Sequence, residues 1–128
     1  MKNRDIYNGA LRILSESMLD GMNLDYEERA PYLIAAFCSD NAEIDKAYRK
    51  ANSLPEGIEV NAVCVELDDD FACAPRLSSA CCVYVAAMLI IDEYSELSDR
   101  LYDKYSDMMS SISSRLPSFV EKISDRYI

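Results

Sequence analysis

The run Ala80–Ile91 (ACCVYVAAMLII) carries no charged side chain. A membrane-spanning helix needs about 20 such residues, and this run is shorter and ends in Asp92-Glu93. A helix that is apolar all round must be covered on every side. The rest of the chain therefore has to supply the cover, and the pattern predicts a helical bundle with this segment at its centre.

The flanking sequence provides suitable partners. From Arg4 to about Met18, residues Tyr7, Ala10, Leu11, Leu14 and Met18 fall on one face at i, i+3, i+4, i+7 spacing, which predicts an amphipathic helix. Gly21 is placed to end it, and Asn23-Leu24 to begin a connection. Asp25-Tyr26-Glu27-Glu28 resembles a capping box, but Pro31 follows within a turn or two. Proline suits a first turn and kinks a helix further in. The second helix thus starts either at the box or near Arg29, and in both cases Tyr32–Phe37 (YLIAAF) is its buried part. Asp40-Asn41-Ala42-Glu43 is a second box-like signal. Ile44, Ala47, Tyr48 and Ala51 then repeat the helical spacing, with Lys46, Arg49 and Lys50 opposite. Pro55 and Gly57 in Asn52–Gly57 are expected to stop this third helix.

Ile58–Leu67 is rich in β-branched residues, and Val63, Val65 and Leu67 share one parity, the signature of a short strand or extended segment. Pro75 opens the central helix, which is expected to reach Ile91 or Asp92. The last helix is expected from near Ser95 to Leu116, with Leu97, Leu101, Tyr105, Met108 and Ile112 on one face and Pro117 as its stop. The fold predicted is all-α: a bundle of about five helices, with a long irregular connection from Asn52 to Pro75 that has room for a short β-strand. Residues 1–117 form the helical domain and 118–128 an extended C-terminal segment.

Composition narrows the chemistry. At 128 residues, 50% of them hydrophobic, the chain suits one domain with a core. There is no His, and the net charge is −10. A Ser-His-Asp triad, a Cys-His pair, an imidazole metal ligand and a Glu-x-x-His di-iron bundle are thereby excluded. So negative a chain is ill suited to wrapping nucleic acid. With only three Gly and neither GxGxxG nor GxxxxGK, no phosphate-cradling loop is expected. No cofactor is implied, and a binding or structural part is favoured over an enzyme. Met1–Asp5 is polar with no apolar stretch behind it, so no secretory signal peptide is expected.

Several side-chain groups invite a chemical reading. Glu66 with Asp68-Asp69-Asp70 offers hard oxygen ligands, but the EF-hand order is missing and three consecutive acids cannot all face one ion. The plainer expectation is a solvated, self-repelling loop. Cys38, Cys64, Cys73, Cys81 and Cys82 are odd in number and contain no C-x-x-C pair; buried, reduced thiols are expected. The tyrosines at helical spacing read as core or interface residues rather than base-stacking platforms. The 118–128 segment is too apolar for a solvated tail: Phe119, Val120, Ile123, Tyr127 and Ile128 recur through it. It either folds back on its own domain or docks on a partner, since alternating apolar anchors suit addition to another chain's surface.

A family resemblance rests on Arg29-Ala30-Pro31-Tyr32-Leu33-Ile34, on Asp45-Lys46-Ala47-Tyr48-Arg49 with Leu54-Pro55, and on Asp92–Tyr102 (DEYSELSDRLY) after the apolar helix. Ser124-Asp125-Arg126-Tyr127 completes it. In this pattern, spread over most of the chain, the protein resembles the small helical head–tail connector (adaptor) proteins of tailed bacteriophages and prophages. The resemblance implies a structural subunit without catalysis. It would form a dodecameric ring beneath the portal protein, extend the DNA channel and support later head-completion or tail proteins. It implies assembly in the bacterial host cytoplasm and then a place in the virion at the head–tail junction, with no membrane partner. The role of reaching the portal would fall to Phe119, Val120, Ile123, Tyr127 and Ile128. Glu66, Asp68, Asp69 and Asp70 would form a loop facing the channel or a neighbour, past which DNA slides without specific binding. The alternative from the residues alone is a small acidic cytosolic protein-binding regulator, an antitoxin-like module that masks a basic surface.

Overall fold

The computed structural model describes residues 1–16, 24–60 and 63–116. Five helices follow in order: α1 (Asn3–Glu16), α2 (Leu24–Asp40), α3 (Ala42–Ala51), α4 (Ser78–Leu89) and α5 (Ser95–Ser114), with a 3₁₀ turn at Pro75–Leu77 leading into α4. This is the all-α arrangement the apolar run calls for. Helix α4 is the centre and packs against α1, α2 and α5. Its Ala80, Cys81, Val83, Val85, Ala86, Ala87 and Leu89 are all buried. Each large apolar side chain so buried contributes about 1.5–3 kcal/mol.

Helices α1 and α5 present the faces their periodicity indicates, whereas Tyr32, expected in the buried part of α2, is 54% exposed, and α3 buries Asp45 and none of Ile44, Ala47, Tyr48 and Ala51. Ile6, Tyr7, Ala10 and Leu14 of α1 are buried, as are Ala30, Ile34 and Phe37 of α2 and Met109 and Ile112 of α5. Leu97, Leu101, Tyr105 and Met108 pack against the same core while partly exposed. Gly9 makes the α1–α4 approach possible: a Cβ there would lie 2.7 Å from Cys82 Sγ. Phe37, Tyr84, Tyr102 and Tyr105 form a chain of tilted ring contacts, with Tyr84 and Tyr105 5.0 Å apart, a geometry aromatic quadrupoles favour. Tyr84 and Tyr105 pack against the core, while Tyr102 is exposed.

Helix α2 is continuous from Leu24, so Asp25–Glu28 is its first turns and not a separate turn. Pro31 sits inside it without ending it, and its carbonyl also receives the Val65 N–H at 3.3 Å. At the junction with α3, Asn41 holds the cap position but makes no side-chain cap. Its Nδ2 donates backwards to the Phe37 carbonyl (2.9 Å) and to the Tyr105 hydroxyl (3.1 Å). The expected capping box is therefore replaced by a tie between α2 and α5.

Helix α3 ends before Pro55 and Gly57 are reached. Ser53 adopts φ 55°, its N–H bonds to the Lys50 carbonyl, and the Leu54 N–H bonds to the Arg49 carbonyl at 2.8 Å. This pair of bonds is a Schellman closure, made here with serine where glycine is usual. The strand expected within Ile58–Leu67 does not form among the described residues. The sole β-bridge there joins Lys2 to Asp70, and β-branched alternation without a partner strand to pair with leaves the backbone irregular. No helix among the described residues is long and apolar enough to cross a membrane.

Candidate functional site

Two surface features of the described residues gather chemically active side chains: the acidic loop at 66–70 and a cavity under the connection that follows α3.

The acidic loop is exposed but its backbone is held. The N–H groups of Asn3 and Arg4, at the start of α1, donate to the carbonyls of Asp69 (2.9 Å) and Leu67 (2.8 Å). Asn3 is buried, and its Nδ2 donates to the Glu66 carbonyl at 2.9 Å. The Phe71 N–H returns to the Met1 carbonyl. Helix starts leave unpaired N–H donors, and here loop carbonyls take two of them. Two of the four candidate acids also meet cations. Asp68 Oδ1 accepts from Arg4 Nε at 3.2 Å, and Asp70 lies 3.8 Å from Lys2 Nζ. The bond to Asp68, then that to Glu27, raises the Arg4 pKa above its ordinary value. The carboxylates of Glu66 and Asp69 form no ion pair among the described residues. The loop is thus a fixed display of negative charge, half compensated. Among the described residues no group of His, Cys, Asp or Glu is arranged to hold a metal ion.

The cavity, of about 720 Å³, lies between α3 and the connection beyond it, with the end of α2 and residue 73 at its base. Lys46, Arg49 and Lys50 line it from α3, Glu56 and Glu59 from the connection, and Cys38 and Cys73 from the base. Its framework is one ion pair. Arg49 Nε donates to Asp45 Oδ2 at 3.1 Å, with side chains only 16% and 10% exposed. The guanidinium also donates to the Pro55 carbonyl (3.0 Å) and the Ala72 carbonyl (3.2 Å). Asp45 Oδ1 accepts the buried Ala74 N–H at 2.7 Å. Gly57 lies against the guanidinium, where a Cβ would be 2.9 Å from Nε. Three stretches of chain are therefore tied together by two side chains one helical turn apart.

Beneath them lie Cys38 and Cys73, and hydrogen bonding with Cys73 lowers the Cys38 pKa. Burial and the Asp45 charge act the other way, and the backbone N–H groups of Cys73 and Ala72 add to the lowering. Cys73 is pushed up by the same hydrogen bonding and by burial. Cys38, Cys73 and Cys81 are buried as the sequence leads one to expect, but Cys82 is half-buried and Cys64 exposed. The pairing of Cys38 with Cys73 escapes the sequence, where no short motif joins positions 35 apart.

Arg29 belongs to the same class of missed residue. It donates to the carbonyls of Met88 (2.9 Å) and Leu89 (3.0 Å) at the end of α4, where unpaired carbonyls and the helix dipole favour a cation. The tail anchors Phe119, Val120, Ile123, Tyr127 and Ile128 lie outside the described residues, as do Met18 and Gly21. Comparison with protein-family models, with curated proteins and with solved structures gave no match.

Proposed function

We propose that the protein is a structural subunit of a phage or prophage head–tail connector ring, without catalysis, that bridges portal to tail and extends the DNA channel. The sequence resemblance is its starting point. The observation that carries the reading is the acidic loop, exposed at Glu66, Asp68, Asp69 and Asp70 and held by backbone bonds to the start of α1. Fixed negative charge on a channel wall keeps a polyanion moving, because like charge suppresses adhesion. The residues behind the resemblance act as scaffold: Arg29 closes α4, and Asp45 with Arg49 ties the connection down. In this reading the chain assembles with itself, the 118–128 segment reaches the portal, and assembly in the host cell precedes a place at the head–tail junction.

Co-sedimentation with portal rings from the same genome tests the proposal. The full chain is expected to travel with the rings, and the chain lacking residues 118–128 to keep its helical content but stay behind. Failure of the full chain to bind portal rings contradicts the reading. The second reading, a small acidic protein-binding regulator, draws on Ile58 and Val63, apolar residues 68% and 81% exposed. It requires a soluble partner and no self-assembly.

A further inference from the structure

The end of α4 and the first turns of α5 enclose a groove of about 540 Å³, lined by Met88, Ile91, Ser98, Asp99, Tyr102 and Asp103. Its shape is fixed by polar ties. The Ser98 hydroxyl, itself buried, donates to the Ala87 carbonyl at 2.8 Å, and the Glu93 and Tyr94 N–H groups both donate to the Ile90 carbonyl. Its aromatic wall is held by ring contacts, with Tyr102 5.4 Å from Tyr105 and 6.5 Å from Tyr84. Tyr102 and Ile91 nevertheless stay exposed. A preformed hollow with apolar walls and a few convergent polar groups is the usual form of a binding site.

The charge of this groove is one-sided. Asp99 and Asp103 stand one helical turn apart, and neither forms an ion pair among the described residues. Like charges at this spacing weaken a helix, so the sequence keeps a local cost here. Among the described residues no cation lines the groove. Arg100 and Lys104 of α5 lie outside its lining, and Arg29, at the end of α4, uses its guanidinium on the Met88 and Leu89 carbonyls and on Asp25.

We propose that the groove docks an exposed segment of a partner protein in which an arginine sits beside an aliphatic side chain. The guanidinium lies over the exposed face of Tyr102 and between Asp99 and Asp103, while the aliphatic chain fills the space against Met88 and Ile91. The ring quadrupole attracts a cation placed over it, and the planar guanidinium suits both a ring face and a carboxylate, which an ammonium does not. Because the groove is already shaped, little ordering opposes binding. The inference stands on the groove alone and is independent of the connector reading.

The test is titration calorimetry of the full chain with a short amidated peptide that alternates arginine and leucine, beside its citrulline–leucine and glutamate–leucine counterparts. The arginine peptide is expected to bind about tenfold more tightly than either, the combined effect of a cation–π contact and two exposed ion pairs, and to weaken as salt rises. Asp99→Asn with Asp103→Asn is expected to lower its affinity about tenfold, and Tyr102→Leu, which keeps the apolar bulk, about threefold. Glu56→Gln with Glu59→Gln, an equal loss of charge beside the cavity under the connection, is expected to leave it unchanged. Absence of binding, or equal binding of the three peptides, overturns the proposal. An equal loss in the Glu56 and Glu59 variant does so too, because it assigns the attraction to the net charge of −10. Loss of self-association in the Asp99 and Asp103 variant, read by sedimentation, assigns the groove to a second copy and likewise overturns it.

Discussion

Asp45 and Arg49, one turn apart on α3 and 3.1 Å from each other, do more than pair. Each uses its remaining hydrogen-bonding capacity on distant backbone, Asp45 on the Ala74 N–H and Arg49 on the carbonyls of Pro55 and Ala72. An exposed pair at this spacing contributes about 0.3–0.5 kcal/mol. This one is largely shielded, and loss of either partner strands the other. Arg49→Ala or Asp45→Ala is expected to cost about 2–4 kcal/mol in urea unfolding, with the two effects strongly non-additive in the double variant. Additive losses, or losses below about 1 kcal/mol, would show that the pair does not organise the connection.

Ser53 gives a prediction of the opposite sign. A serine at φ 55° carries the steric penalty that glycine avoids. Ser53→Gly is expected to stabilise the protein by about 0.5–1 kcal/mol, seen as a higher denaturation midpoint at unchanged slope. A loss of stability would mean that the serine side chain contributes something the closure geometry does not require.

Gly9 marks the tightest helix contact. Gly9→Ala places a methyl 2.7 Å from Cys82 Sγ and is expected to cost about 1–3 kcal/mol through overpacking. Adding Cys82→Ala removes the obstructing sulfur and is expected to recover most of that loss. No recovery would place the strain elsewhere in the α1–α4 contact.

The tyrosines predict how stability falls in alkali. Burial is the first cause raising the phenol pKa of Tyr84 and Tyr105 above 10.0, with Tyr26 and Tyr7 shifted the same way. Above pH 10 the unfolded chain releases these protons while the folded chain keeps them. The stabilisation is therefore complete below about pH 10 and is lost as pH rises through the folded-state values. Tyr84→Phe is expected to flatten this decline in urea unfolding between about pH 9.5 and 11. An unchanged slope would assign the alkaline loss to other groups.

What could be read in advance follows from the kind of signal involved. Apolar periodicity marked α1 and α5, and the charge-free run marked α4, to within a few residues, because burial is a local property of the sequence; the periodicity of α3 placed the helix, but its buried residue is Asp45. It carried no information on polar partners far along the chain. Arg29 capping α4, Asn41 turning to Tyr105 and the Cys38–Cys73 contact each join residues more than 30 positions apart. The strand expected within Ile58–Leu67 is absent among the described residues for a related reason: alternation describes a strand's faces but supplies no neighbour. The acidic loop was visible as charge, whereas its attachment to Asn3 and Arg4 runs through backbone groups that every residue carries.

The acidic loop makes the channel reading quantitative. Neutralising Glu66, Asp68, Asp69 and Asp70 together to their amides removes four negative charges but leaves the backbone bonds to Asn3 and Arg4. Because the ion pairs involved are exposed, the fold is expected to lose less than about 1 kcal/mol. In the assembled protein the variant is expected to retain double-stranded DNA at low salt and release it as salt rises, while the parent does not retain it. Equal behaviour of the two would remove the loop from any role beside DNA.

Self-assembly is the centre of the account, and electron microscopy of the purified full chain, alone and with portal rings, tests it most directly. The connector reading predicts closed rings with an open central channel, stacked on the portal when both are present. A protein that remains monomeric at high concentration and leaves portal rings undecorated would contradict it.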